Sequence, residues 1–147
     1  MNARKRFERI RAAVIELATV QALIATGGDD WQPDSVGHIQ CPDPTAAQAI
    51  RNVDEWGVRL AELRTRESEL FEIIGDGLRE IESVRVGLSD AHADVLDQRY
   101  IDCLRWHDVE LHGKRIKLST GKLLASEAFA WLDAQDSAKL RESDRNI

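Results

Sequence analysis

Apolar residues recur at spacings of three and four along the N-terminal stretch of the chain. This spacing places them on one face of an α-helix, because a helix completes a turn in about 3.6 residues. The series, which has the a/d character of a coiled-coil stripe, consists of Phe7, Ile10, Val14, Leu17, Gln21 and Ile24. Gly27 and Gly28 follow it, and glycine is common just past a helix C-terminus. The sequence therefore predicts a helix over residues 3–26.

A second, longer stripe with heptad spacing predicts a helix over residues 44–86. Its apolar members are Ile50, Val53, Trp56, Leu60, Leu63, Leu70, Ile74, Ile81 and Val84. Glu67 occupies a position of the stripe that is otherwise apolar. Gly75 and Gly77 lie inside the helix, where a glycine costs about 1 kcal/mol relative to alanine. They mark a bend, a close approach of another helix, or a break.

All three prolines of the chain fall in residues 29–44, which are predicted to form a loop. Asp43 and Pro44 at its end resemble a helix start, with aspartate as the N-cap and proline at the first helical position. The two long helices are expected to form an antiparallel, coiled-coil-like hairpin. An isolated helix pair buries little apolar surface, so a homodimer through the heptad helices is predicted.

Three shorter helices are expected after Gly87. The first has Ser89 as its N-cap, the second runs from Trp106 to Gly113, and the third covers residues 119–133. Three short helices with a glycine at the last turn are typical of a helix-turn-helix. The predicted fold is therefore all-α, with a helical hairpin in residues 1–87, a helix-turn-helix in residues 88–134 and a polar tail in residues 135–147.

Positive charge is concentrated near the C-terminal end of an acidic chain. The 147 residues carry a net charge of −6, yet residues 113–126 contain four bases and no acid. The overall acidity argues against a protein that coats nucleic acid without specificity, whereas the local window favours contact at one place. A second group of bases is either a solvated helix end or a further phosphate contact, and it comprises Arg4, Lys5, Arg6, Arg9 and Arg11.

The last helix of a helix-turn-helix enters the major groove with its N-terminal end. Lysine and arginine neutralise phosphates, and serine and threonine hydroxyls donate to phosphates or bases. The predicted DNA-binding residues are Lys114, Arg115, Lys117, Ser119, Thr120 and Lys122. The predicted core of the helix-turn-helix consists of Leu96, Tyr100, Trp106, Val109, Leu124 and Ala128.

The segment "VLDQRYIDCLRWHDVE" resembles the start of region four of bacterial sigma factors. It resembles still more closely the phage-encoded transcription regulators of the ArpU/RinA type, which share the pattern "vL..RYidg.sW.eIa". Upstream, "CPDPTAAQAI" is similar to the start of their long helix. The resemblance implies a DNA-binding regulator of phage or prophage genes, or a small terminase-like accessory protein. It also implies a cytoplasmic location in the bacterial host.

The chain departs from that pattern after Trp106. Glu110 stands where alanine is usual, the turn is about one residue longer, and Gly121 replaces a branched apolar residue of the recognition helix. Glycine at that position weakens a helix. These departures bear on whether the last two helices keep the geometry that base contacts require.

Motifs for catalysis or metal binding are weak. Cys103, His107 and His112 are spaced by four and five residues, and "HDVELH" is not the HExxH pattern of a zinc protease. "GKRIKLSTGK" has the wrong order for a phosphate-cradling loop, and the sequence supports no Ser-His-Asp arrangement. The cysteines lie in separate segments, which favours a reducing compartment. We expect no enzyme activity, no metal and no cofactor.

Two functions from different classes follow. The first is a DNA-binding transcription regulator of phage or prophage genes, with double-stranded DNA and RNA polymerase as partners. The second is a helical protein-interaction module with a degenerate helix-turn-helix, which binds host RNA polymerase or another regulator. A cytoplasmic protein is expected, because the N-terminus does not resemble a signal peptide and no apolar run approaches the roughly 20 residues of a membrane span.

Overall fold

The structure is a computed structural model that describes residues 1–31 and 42–145, with side chains described in residues 1–26 and 55–145. Its elements are α1 (Ala3–Trp31), α2 (Pro42–Gly87), α3 (Asp90–Leu96), a π-helical turn (Asp97–Ile101), a 3₁₀ turn (Trp106–Asp108), β1 (Glu110–Leu111), β2 (Lys114–Arg115) and α4 (Leu118–Arg145). The prediction of a mostly helical chain is confirmed.

The two long helices extend further than their sequence signals indicated. Helix α1 continues through Gly27 and Gly28 to Trp31, so the predicted stop at these glycines is wrong. A glycine costs about 1 kcal/mol inside a helix, which weakens the helix without necessarily ending it. Helix α2 begins at Pro42, just before the expected N-cap Asp43. The rest of the loop predicted over residues 29–44 lies outside the described residues.

The residues at the heptad positions of α2 are shielded from solvent. Positions spaced alternately by four and three are buried or half-buried, and they are Trp56, Leu60, Leu63, Glu67, Leu70, Ile74, Gly77, Ile81 and Val84. Helix α2 runs without interruption through both internal glycines. Gly77 is the site of a close helix approach, since a Cβ there would lie 2.7 Å from Ile10 Cδ1. Of the three possibilities for this glycine, the close approach is the one observed.

The chain divides into two compact units, Met1–Ile15 with Glu72–Ile147 and, separately, Glu16–Phe71. The expected boundary after Gly87 does not coincide with this division. In the first unit the start of α1 runs antiparallel to the end of α2, with Arg6 Nη2 2.7 Å from Glu80 Oε1. In the second unit Arg66 binds both carboxylate oxygens of Glu16 at 2.8 and 2.9 Å.

Aromatic rings from distant parts of the sequence form the core of the first unit. Phe7 of α1 lies with its ring centroid 5.5 Å from Tyr100 and 5.4 Å from Phe129 of α4. Tyr100 and Phe129 are 5.7 Å apart in an edge-to-face arrangement. Each such pair stabilises the fold by about 0.5–1.5 kcal/mol, in addition to the effect of burying the apolar surface of its rings. The start of α1 is therefore part of the core that supports the C-terminal region.

The helix predicted from Trp106 to Gly113 is wrong. A single 3₁₀ turn is followed by the β1–β2 hairpin, in which Glu110 pairs with Arg115. His112 and Gly113 form its two-residue turn with φ values of 56° and 77°. Positive φ at both central residues is the type I′ geometry that hairpins favour. Glycine is favoured both just past a helix C-terminus and in this turn, because it adopts a positive φ readily. Gly113 alone therefore does not distinguish a helix end from a hairpin.

Helix α4 is longer than predicted. It begins at Leu118 and continues past Asp133 to Arg145. The segment 135–145, expected as a polar tail, is helical, mostly polar, and exposed except at the half-buried Asp136. Residues 134–145 contain good helix formers and neither glycine nor proline, which explains the continuation. Near its middle, the Trp131 ring lies so close to Gly87 that a Cβ there would clash.

Ser89 is the N-cap of α3, as predicted, because its hydroxyl accepts the His92 N–H at 3.2 Å. The same oxygen is 2.5 Å from His92 Nδ1, and His92 Nε2 is 2.7 Å from Glu127 Oε2. This hydrogen-bonded series links the start of α3 to α4. The sequence did not indicate it, because Glu127 lies 35 residues beyond His92.

Candidate nucleic-acid interface

The six predicted DNA-binding residues lie on one continuous segment formed by β2 and the first turns of α4. Lys114 and Arg115 make up β2, Lys117 directly precedes α4, and the other three lie in its first turns. All six are exposed. The structure therefore presents these side chains to solvent, on a hairpin and a helix start rather than on two helices.

The hairpin is held in place by hydrogen bonds to the body of the first unit. The Gln98 side chain donates to Glu110 O at 2.7 Å and accepts the Glu110 N–H at 2.9 Å. The Ile116 N–H donates to Val109 O at 3.3 Å. Because β1 is anchored by Gln98 and pairs with β2, the basic residues of β2 have a defined position relative to α4.

Most of the basic side chains have no acidic partner. Among the described residues, no carboxylate lies within 4.0 Å of the ammonium groups of Lys114, Lys117 and Lys122. Arg115 reaches Asp108 only at 4.0 Å, and Asp108 already binds Arg105 at 2.9 Å. The Arg105 hydrogen bond lowers the pKa of Asp108, with smaller contributions from nearby positive charges. These cations are therefore free to meet an external anion.

The start of α4 adds a positive field of its own. Its first turn contains no acidic residue, and the first N–H groups of a helix carry partial positive charge. The Gly121 N–H donates to Lys117 O at 3.0 Å, which makes Lys117 the residue at the helix boundary. A lysine side chain has no acceptor with which to cap the helix. The N-terminus of α4 is therefore suited to an anion.

One base of the N-terminal group lies beside this segment. Arg4 donates to Ser126 Oγ at 3.2 Å and lies 5.4 Å from the centroid of the Phe129 ring. Ser126 follows Lys122 by one turn of α4, so Arg4 extends the positive surface along that helix. Arg6 is engaged elsewhere, because it binds Glu80 and Asp136 at 2.7 and 2.8 Å. The hydrogen bond to Glu80 is the main cause of its raised pKa.

The six predicted core positions lie in or against the core of the first unit. Leu96, Tyr100, Val109 and Ala128 are buried, and Trp106 and Leu124 are half-buried. The Trp106 ring is in contact range of Gly121, since a Cβ there would lie 3.4 Å from the ring. Trp106 thus supports the first turn of α4.

Arg99 has a structural role that the sequence did not indicate. Its Nη1 donates to Leu104 O at 3.0 Å, and its guanidinium carbon is 4.9 Å from the Trp106 ring centroid. Burial lowers the pKa of Arg99, and the charge of Arg11 adds to this effect. Arg99 and Tyr100 are part of the family pattern, but nothing in the sequence indicates that Arg99 contacts a tryptophan seven residues away.

Within the described parts of the chain, no group of three or more histidine, cysteine, aspartate or glutamate side chains is placed to hold a metal ion. The helices described there also lack a segment both long and apolar enough to cross a membrane. Comparisons with protein-family models, with curated proteins and with solved structures give no match. The function is accordingly inferred from the residues and their geometry.

Proposed function

We propose that this protein is a non-enzymatic, DNA-binding regulator of phage or prophage transcription. The β1–β2 hairpin and the start of α4 are the proposed contact with duplex DNA. The observation that carries the proposal is that Lys114, Lys117 and Lys122 are exposed and lack acidic partners in the described structure, beside a helix start free of acids. On a chain of net charge −6, this is the arrangement that a local phosphate contact requires.

The backbone of residues 95–109 supports the resemblance on which the regulatory role rests. Cys103 has a φ of 58°, a left-handed conformation that favours glycine. It lies at the position where the pattern "RYidg.sW" carries glycine. Tyr100 and Trp106, which carry that pattern in this sequence, meet edge to face with centroids 6.4 Å apart.

The proposed mode of contact differs from that of a helix-turn-helix because a hairpin replaces the second helix. The major groove admits either an α-helix or a two-stranded ribbon. We assign phosphate contacts to four residues, and we place Ser119 and Thr120 of α4 nearest the groove. The four are Lys114, Arg115, Lys117 and Lys122. Phosphate contacts fix orientation, whereas sequence is read by groups that reach base edges.

The long helices are proposed to mediate self-association or contact with RNA polymerase. In the unit Glu16–Phe71 the heptad positions Trp56, Leu60 and Leu63 are only half-buried. A second copy that covered this seam would remove apolar surface from water. This supports the homodimer predicted from the heptad pattern.

The alternative function, a protein-interaction module, has one observation in its favour. Leu123 is 58% exposed and Leu118 is 37% exposed, and both flank the basic residues of α4. Exposed leucines suit contact with an apolar patch on a partner protein better than contact with a phosphate backbone. This alternative predicts that duplex DNA does not bind.

Fluorescence anisotropy with a labelled duplex separates the two functions. We expect Lys114→Glu and Lys122→Glu to weaken binding, because each places a negative charge against the phosphates. Lys139→Glu is the matched control, since it makes the same charge change at an exposed position further along α4. Equal loss in all three variants, or binding that none of them alters, would contradict the proposed interface.

A further inference from the structure

Two arginines of the first unit, Arg11 of α1 and Arg99 of the π-helical turn, are brought together by the fold. Cys103 Sγ lies 3.9 Å from Arg11 O, so the loop after the π-helical turn rests on α1 at this point. The charge of Arg11 is close enough to contribute to the lowered pKa of Arg99. The contact and the charge effect together indicate that the two cations lie near each other at the junction of α1 and the C-terminal region.

In the described structure each of these arginines has one side-chain donor without a partner. The Nε atoms of Arg11 and Arg99 are both fully buried and have no hydrogen-bond partner there. Buried polar groups in folded proteins are almost always hydrogen-bonded, so such a pair requires an explanation. Glu8 lies one turn before Arg11, but the described ion pairs include none between it and either arginine.

The side chain of Arg99 is held in a fixed orientation. One terminal nitrogen donates to Leu104 O at 3.0 Å, and the guanidinium plane is supported by the Trp106 ring at 4.9 Å. A guanidinium that is already ordered loses less entropy when it binds an anion. Its fork of N–H donors matches two oxygens of a phosphate.

We propose that Arg11 and Arg99 form a binding site for a phosphate oxyanion. An anion placed between them would accept hydrogen bonds from donors that are otherwise unpaired, and it would offset the repulsion of two like charges. The source of the phosphate is either the DNA backbone or a free phosphate group. The Trp106 ring contacts both Arg99 and the first turn of α4, so a backbone phosphate at this site would lie beside the proposed DNA interface.

The first test is thermal unfolding of the full chain in inorganic phosphate, with chloride at matched ionic strength as the reference. A ligand that binds only the folded state stabilises it by RT ln(1 + [L]/Kd), so the Tm begins to rise near the Kd and then rises with the logarithm of the ligand concentration. We expect phosphate to raise the Tm in this way. We expect Arg11→Gln to weaken the apparent phosphate affinity at least about tenfold, because it removes a charged hydrogen-bond donor.

Arg11→Gln is the preferred variant because Arg11 does not support the Trp106 ring, whereas Arg99 does. Arg141→Gln is the matched control, since it removes one charge from an exposed position of α4. A Tm rise no larger than that in chloride would overturn the proposal. So would a phosphate response that is equal in Arg11→Gln and Arg141→Gln.

Binding of an unlabelled duplex to the same variants identifies the source of the phosphate. If the source is the DNA backbone, Arg11→Gln weakens duplex binding and inorganic phosphate competes with DNA. If it is a free phosphate, duplex binding is unchanged while the phosphate response is lost. A phosphate response without duplex binding rejects the proposed function alone, and duplex binding without a phosphate response rejects this site alone.

Discussion

The guanidinium of Arg99 lies over the ring of Trp106, 4.9 Å from its centroid. A cation over a tryptophan face contributes about 0.5–2 kcal/mol, with the larger values at desolvated sites. The same ring meets Tyr100 edge to face and supports Gly121 at the start of α4. One aromatic side chain thus connects the π-helical turn, the core and the helix proposed to contact DNA.

Two glycine-to-alanine substitutions are expected to have opposite effects on the free energy of unfolding. Gly77→Ala should lower it by about 1–3 kcal/mol, because three atoms of Ile10 lie within 3.0 Å of the new Cβ. Gly121→Ala should raise it by about 0.5–1 kcal/mol, because its Cβ meets Trp106 and Ile116 at ordinary contact distances and alanine favours the helix. Urea unfolding of both variants checks the pair. Equal effects of the same sign would contradict the packing described for both sites.

The C-terminal region is expected to depend on the start of α1 for its folding. Phe7 is fully buried against Tyr100 and Phe129, so Phe7→Ala should lower the free energy of unfolding by about 3–5 kcal/mol. A fragment of residues 88–145, which lacks this residue, should show no cooperative thermal transition. Cooperative unfolding of the fragment, followed by circular dichroism, would show that the contact with α1 is dispensable.

Asp97 is expected to make stability depend on pH. Burial raises its pKa, and the charge of Asp102 adds to this, while Arg85 acts in the opposite direction. A raised pKa in the folded state means that the carboxyl favours folding when protonated, and that this contribution is lost as the pH rises through the folded pKa. Asp97→Asn should therefore stabilise the protein at pH 7, with a gain that shrinks as the pH is lowered towards 4.

Urea midpoints measured at several pH values test this prediction. The control is Asp144→Asn, at an exposed position near the end of α4. A gain for Asp97→Asn that grows on acidification, or that equals the control at every pH, would contradict the role assigned to burial at Asp97.

The heptad seam of the unit Glu16–Phe71 is expected to be the surface of a homodimer. Leu63 is half-buried there, and Leu63→Asp should convert the dimer to a monomer at micromolar concentration. Ala61→Asp places the same charge at an exposed position of α2 and should leave the dimer intact. Sedimentation velocity distinguishes these outcomes. A wild-type monomer, or a dimer that Leu63→Asp does not alter, would exclude this surface.

Local signals in the sequence predicted much of the helical structure. The heptad spacing of α2 matches its burial, Ser89 is the N-cap of α3, and Gly87 ends α2. These features depend on residues close together in the chain, so periodicity and capping chemistry are sufficient to identify them. The burial of Tyr100 was expected because large aromatic side chains usually pack in a core.

Other features depend on ambiguous or distant signals. Gly113 suits a helix end and a hairpin turn equally, so it does not distinguish the observed hairpin from the predicted helix. The contacts of Phe7 with Phe129 and of His92 with Glu127 join residues far apart in sequence, and no local pattern specifies them. The unpaired Nε atoms of Arg11 and Arg99 are visible only once the fold brings the two side chains together.

The dependence of duplex affinity on salt concentration tests the central claim most directly. Lys114, Arg115, Lys117 and Lys122 are four proposed phosphate contacts, so the logarithm of the association constant should fall against the logarithm of salt with a slope of about −3 to −4. Lys122→Glu should reduce the magnitude of this slope by about 1 or more, and Lys139→Glu should leave it unchanged. A flat salt response, or no measurable binding at low salt, would contradict a DNA-binding function for this surface.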